Sequence, residues 1–211
     1  MRWIKGLLII LLLSGANFAL AASYEVRPGV EVNFSPPPSH WQISKEPPDF
    51  LIEEHTGHLG PEQLDAARQA GLNTAEDAVR RMLSGNDLYL YNPQNGAHLI
   101  IDFSPLREGE VAPRARTLKT SARYAAEGLG DEEGFEAVNS RVGKTRIAGA
   151  RHAYRIDADF LKHGEPTSFI GIVTFALDHW VYLYYTGPQS AVVDSKVINE
   201  VLGSFRIASK H

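Results

Sequence analysis

The 211-residue chain contains no cysteine. That excludes disulfide staples, thiol nucleophiles, CxxC redox pairs and thiolate metal sites. It also leaves no cysteine to carry a lipid anchor. Positive charge is not in excess: 21 basic residues stand against 25 acidic ones. Such a balance argues against a general nucleic-acid or anionic-membrane binder. There is no G-x-S-x-G elbow, and no serine sits in a recognisable nucleophile context. Gly128-Leu129-Gly130 with Gly134 follows a predicted helix and precedes a predicted strand. A nucleotide loop needs the reverse order, because the phosphate sits at a helix N-terminus. The cluster reads as a helix stop. Past the amino terminus, no stretch is apolar enough to span a bilayer.

What is present begins with a leader. Arg2 and Lys5 precede an apolar run over residues 7–13, and Ala19-Leu20-Ala21 supplies small residues for a peptidase. This is the pattern of a secretory signal peptide, with cleavage expected after Ala21. The run is shorter than the ~20 residues of a membrane span. Residues 1–21 are therefore expected to be removed. Residues 22–211 are expected to form one domain, periplasmic or secreted, with no membrane span after cleavage. A chain of that length buries roughly 70% of its unfolded surface and needs no staples. The alanine- and arginine-rich composition fits a Gram-negative periplasm.

Valines alternate with polar residues over residues 30–34, which predicts a strand with one buried face. Pro36-Pro37-Pro38 ends it. Short strands are expected at residues 41–43 and 50–55, separated by Pro47-Pro48-Asp49. Residues 60–85 read as a helical hairpin. Pro61 suits a first helical position, Gly71 a left-handed stop, and Thr74 with Asp77 a capping pair. Residues 88–91 and 98–103 read as strands joined through Asn95-Gly96. Residues 117–128 form a helix with Leu118, Ala122, Ala125 and Leu129 on one face. Strands follow at residues 135–142, 152–160, 167–177 and 180–186. A closing helix spans 191–204 with Val193, Val197, Val201 and Leu202 as its stripe, and residues 205–207 add a last strand. Long antiparallel strands with a few separated helices define an α+β fold: an antiparallel meander with helices packed on its faces.

The order of these elements resembles the PsbP-like fold, shared by DcrB-type bacterial envelope proteins and Ran-binding Mog-type proteins. The residues carrying the resemblance are Gly29-Val30-Glu31-Val32 leading to Trp41, and the helix from Leu118 to Tyr124. Ile147-Ala148-Gly149-Ala150-Arg151-His152-Ala153-Tyr154, Trp180-Val181-Tyr182-Leu183 and Val201-Leu202-Gly203-Ser204-Phe205 complete it. It covers nearly all of residues 22–211, with the 60–85 hairpin as an elaboration. The resemblance implies a non-catalytic, protein-binding or assembly-supporting module whose partner is an envelope or periplasmic protein.

Three groups of residues are candidates for function. Trp180, Tyr182 and Tyr184 alternate along one strand and share a face, and Tyr89 and Tyr91 form a similar pair. Aromatic rings with polar tips serve interfaces and ligand clefts as well as cores. His55 and His58 are the nearest approach to a metal site. They would need His40 or His98 from elsewhere in the chain, and solvated loop histidines are the alternative. Arg151, Arg155, Asp157 and Asp159 form a charged strand face, suited to docking or to cross-strand ion pairs. No catalytic residue and no cofactor is assigned. A metal-dependent hydrolase or metal-binding protein at His55 and His58, and a small-ligand carrier, are the competing readings.

Overall fold

The computed structural model describes residues 21–210, so the leader read over residues 1–21 lies, Ala21 apart, outside the described residues. The first element, β1 (Ala22–Arg27), pairs antiparallel with β2 (Val30–Phe34) across Gly29, whose positive φ closes the turn. The sequence reading assigned β2 but no element at residues 22–27. There only Val26 is fully buried, so the alternation is too faint to see.

The short strand expected at residues 41–43 forms one residue later, as β3 (Gln42–Ser44). Residues 50–55 do not form the expected strand. They lie within a helix, α1 (Asp49–Thr56). Pro48 takes the extended N-cap conformation before it, and Asp49 places an acid at the positive end of the helix dipole. The adjacent pair Leu51 and Ile52 is buried against Val79, Leu83 and Tyr89. Helical geometry lets neighbouring residues share that one contact, whereas a strand would turn one of them to solvent.

The helical hairpin is present as α2 (Pro61–Gln69) and α3 (Ala75–Leu83). Pro61 opens α2, and Gly71 follows with φ near +80°. Thr74 accepts from the Asp77 backbone N–H at 3.0 Å, and its own N–H donates to Asp77 Oδ2 at 3.1 Å. That reciprocal cap satisfies two donors that the helix start would otherwise orphan.

A seven-stranded antiparallel sheet follows. Its strands are β4 (Leu88–Tyr91), β5 (His98–Pro105), β6 (Phe135–Thr145), β7 (Ala153–Lys162), β8 (Glu165–Ala176) and β9 (His179–Pro188), with β3 at one edge. The spatial order is β3-β4-β5-β9-β8-β7-β6. Tight turns at His163-Gly164 and Leu177-Asp178, all four residues at positive φ, join the last three strands of the meander. Between β5 and β6 lies α4 (Ala115–Gly128), and after β9 come α5 (Val192–Ser204) and β10 (Arg206–Ser209). The last strand pairs with β2, giving a separate three-stranded sheet.

The large sheet is covered on both sides. One face, carrying Leu99, Ile101, Leu183, Tyr185 and Ile172, packs on α5 and the small sheet. The other face receives α4 over β7 and β8, and α1 with α3 over β4. The buried face of α4 uses Leu118, Ala122 and Ala126, with Ala125 and Leu129 only half-buried. The stripe of α5 is also shifted. Val193 is exposed, and Asp194 is buried in its place. The Asp194 carboxylate accepts from Trp41 Nε1 at 3.1 Å, Asn92 Nδ2 at 3.2 Å and Asn95 Nδ2 at 2.6 Å. These bonds, with the favourable end of the helix dipole, compensate the burial of a charge.

Candidate functional site

Cross-strand register settles which candidates share a face. Tyr89 pairs with Ile100 and Ile100 with Tyr184, while Tyr91 pairs with His98 and His98 with Thr186. All five aromatic candidates therefore lie on the α1/α4 side of the sheet. Their environments differ. Tyr89 is fully buried, and its hydroxyl donates to the Leu83 carbonyl and accepts from Asn86. It serves as a strut beneath α3. Tyr91 is half-buried, packs against Phe50 and donates to Gln42 Oε1 at 2.7 Å.

Trp180, Tyr182 and Tyr184 form a continuous ladder along β9. Trp180 and Tyr182 stack with centroids 6.2 Å apart and planes 3° apart; Tyr182 and Tyr184 stack at 5.8 Å and 17°. Phe175 meets Trp180 edge-on, and Phe169 flanks Tyr184. All three ladder residues remain partly exposed, because α4 sits to one side over β7 and β8 while α1 and α3 sit to the other over β4. Burial raises the Tyr182 and Tyr184 hydroxyls above the usual phenol range. Each is held as a neutral hydroxyl. Asp102 on β5 and Glu110 in the β5–α4 connection add negative charge beside Tyr182.

Beyond Tyr184 the groove deepens into a cleft of about 420 Å³ between α1 and the C-terminal end of α4. Its floor is Tyr184, Ile100, His98 and Phe169; Leu51, Glu54 and His55 form one wall, and Ala125, Leu129 and Phe135 the other. Lys162, at the end of β7, reaches Glu54 at 2.5 Å and ties the two sides together. His98 is buried, and its Nδ1 lies 2.8 Å from the Gly96 carbonyl. A carbonyl only accepts, so Nδ1 carries the proton and Nε2 is a bare acceptor. Burial lowers His98 to about 4 and also lowers His55.

His55 and His98 thus share one cleft, as a metal site would have required. His58 does not join them there. Its ring stacks on His163 at 5.1 Å and 4°, in an adjacent cavity of about 280 Å³ that His55 also lines. Among the described residues no three histidine, aspartate or glutamate side chains converge to hold a metal. The charged face of β7 is paired internally: Asp157 meets Arg155 at 2.8 Å and Arg141 at 3.4 Å, and Asp159 accepts from Ser168.

Sequence reading missed Glu54, Lys162, Ile100 and Phe169 as parts of one place. They come from four elements and carry no shared spacing. From sequence, His98 is a candidate only as a further metal ligand beside His55 and His58. Its position beside the Asn95-Gly96 turn was the one available hint, since the turn carbonyl fixes its tautomer.

The fold defines the class. The chain has the α+β PsbP-like fold, with antiparallel sheets and helices packed on the large one. No protein-family model matches the chain, and no curated protein sequence matches it. Solved structures do. Cyanobacterial PsbP (CyanoP) from Synechocystis sp. PCC 6803 superposes with a TM-score of 0.51 at 12% identity, over 92% of this chain and 95% of that one. LpqN of Mycobacterium tuberculosis, involved in cell envelope biogenesis, gives 0.51 at 11% identity over 91% and 92%. The Saccharomyces cerevisiae Ran-binding protein Mog1p gives 0.44 at 9% identity over 88% and 94%. Among the described residues no helix is long and apolar enough to cross a membrane.

Proposed function

We propose that this chain is an exported, non-catalytic module of the bacterial envelope that docks a partner protein on the ladder of Trp180, Tyr182 and Tyr184. The observation that carries this reading is the ladder itself. Three stacked rings stand between flanking helices, partly exposed along their edges, each bearing a polar tip. Rigid aromatics of this kind supply much of the binding energy at protein interfaces, because they bury large area at little entropic cost. Asp102 and Glu110 beside Tyr182 favour a partner segment that presents lysine or arginine next to the exposed ring edges.

Export is supported by the leader pattern of residues 1–21, and the envelope setting by the fold shared with LpqN. Fold alone does not assign a role, so the test addresses the surface. The mature protein is captured from cells after brief chemical crosslinking, and the wild type is compared with Trp180→Ala and Tyr182→Ala. The reading expects one defined partner in the wild type and its loss from both variants, with their circular dichroism unchanged. Undiminished capture by both folded variants overturns it.

A further inference from the structure

We propose that the cleft between α1 and α4 binds a small organic amine: an aromatic or alicyclic body with a primary ammonium group, seated over Tyr184 and donating to His98 Nε2. The site shares Tyr184 with the ladder, but it lies at the far end of the groove from Trp180 and rests on different observations. Its volume of about 420 Å³ falls within the range of small-molecule pockets. Its lower walls are apolar, formed by Leu51, Ile100, Ala125, Leu129 and Phe169. They provide for the body of the ligand.

The polar groups specify the other end. His98 is only 7% exposed, and its protonated Nδ1 is consumed by the Gly96 carbonyl. Nε2 has no hydrogen-bond partner among the described residues, although the ring lines the cleft. The ring is buried but this nitrogen is open to the cleft, so it is an acceptor that a ligand N–H can reach. The Tyr184 hydroxyl likewise makes no hydrogen bond among the described residues. Lys162 is already bound to Glu54 Oε1, so these two charges offset each other. Glu132 at the rim then leaves the cleft acidic, while burial keeps His55 and His98 from answering with positive charge. A cation placed beside Tyr184 and Glu132 meets that net negative charge favourably. A carboxylate at the same place would meet a lone pair and an uncompensated acid.

The test uses a matched pair of probes, tryptamine and indole-3-acetate, which share a ring system and differ in the charged group. Each is titrated into the mature protein, following backbone amides and the His98 ring nitrogens by NMR. Tryptamine is expected to saturate, shifting Ile100, Leu129 and Phe169 and moving the Nε2 resonance upfield as it accepts a hydrogen bond. Indole-3-acetate is expected to bind at least about tenfold more weakly. His98→Phe keeps the ring and removes the acceptor, and it should weaken tryptamine about tenfold, the worth of one good hydrogen bond. If that variant does not fold, the wild-type Nε2 shift decides. No saturable shift with tryptamine, equal or tighter binding of the acetate, an unmoved Nε2 resonance, or undiminished affinity in folded His98→Phe each overturns the proposal. Partner capture by Trp180→Ala and Tyr182→Ala is unaffected by any of these results, so the two readings fail separately.

Discussion

Lys162 at the end of β7 contacts Glu54 of α1 at 2.5 Å, bridging two elements more than a hundred residues apart in the chain. The side chains are 19% and 31% exposed, so the pair is shielded more than a surface ion pair and less than a core one. Burial pushes the Glu54 carboxyl up, yet the Lys162 hydrogen bond and charge outweigh it and hold it below the usual range. A carboxyl with a depressed folded pKa stabilises above its unfolded value and loses that contribution as pH falls through the folded one. The tie should therefore be intact at neutral pH and weaken only below about pH 4.5, the ordinary glutamate value.

Removing one partner strands the other. Lys162→Met should cost about 1–3 kcal/mol at pH 7, since it leaves a half-buried carboxylate unpaired. Lys162→Met combined with Glu54→Gln should recover most of that loss. Urea denaturation of the four proteins in the double-mutant cycle measures the coupling. Additive effects, with the double variant losing the sum of the two single losses, would show that the bridge does not hold α1 to the sheet.

Two buried groups titrate against each other. Burial lowers His98 to about 4 from 6.5, so the folded protein refuses a proton that the unfolded chain takes up. Its neutral form costs nothing above pH 6.5, and stability is lost as pH falls from there toward 4. Burial raises Asp87 to about 6 from 3.8, against the opposing pulls of the Phe103 N–H and the Arg27 guanidinium. There the folded state holds the extra proton, so stability falls as pH rises from about 4 to 6. Each slope amounts to at most roughly 3–4 kcal/mol at ~1.4 kcal/mol per unit, and the two oppose. His98→Phe should therefore gain stability on acidification from pH 7 to 4.5 relative to wild type, and Asp87→Asn should lose it. Melting temperatures across that range check both signs.

Gly149 holds a turn that no other residue fits. Its φ is near +89°, and a Cβ there would run into the Ile207 carbonyl of β10. The neighbouring Ala148 carbonyl accepts the Ile207 N–H at 2.9 Å, so the turn and the last strand are pinned together. Gly149→Ala should cost more than the ~1–2 kcal/mol of the left-handed conformation alone. Amide exchange should rise first in β10 and in β2, its partner. Protection unchanged in those strands would mean the turn adjusts without disturbing the small sheet.

The strands of the meander were legible because each is long, alternating and bounded by a turn residue. The β7 strand, for example, buries Ile156, Ala158 and Phe160 in strict alternation. The α2–α3 hairpin was legible from Pro61, Gly71 and the Thr74–Asp77 cap. The α1 helix was not, because eight residues after a double proline carry too little periodicity to separate a helix from a strand. Long-range packing of Leu51 and Ile52 on Tyr89 decides it. The same limit applies to the site. The aromatic ladder lies on one strand and shows as i, i+2, i+4 spacing. The cleft is assembled from α1, β5, α4, β6, β7, β8 and β9, whose meeting is a property of topology and leaves no local mark.

The docking claim is tested most directly by placing a photocrosslinking amino acid at position 182, and separately at position 200 on the exposed side of α5, in the otherwise intact exported protein. The account predicts a discrete adduct of one size from position 182, abolished by Trp180→Ala, and none from position 200. The same adducts from both positions, or none from position 182, would contradict it.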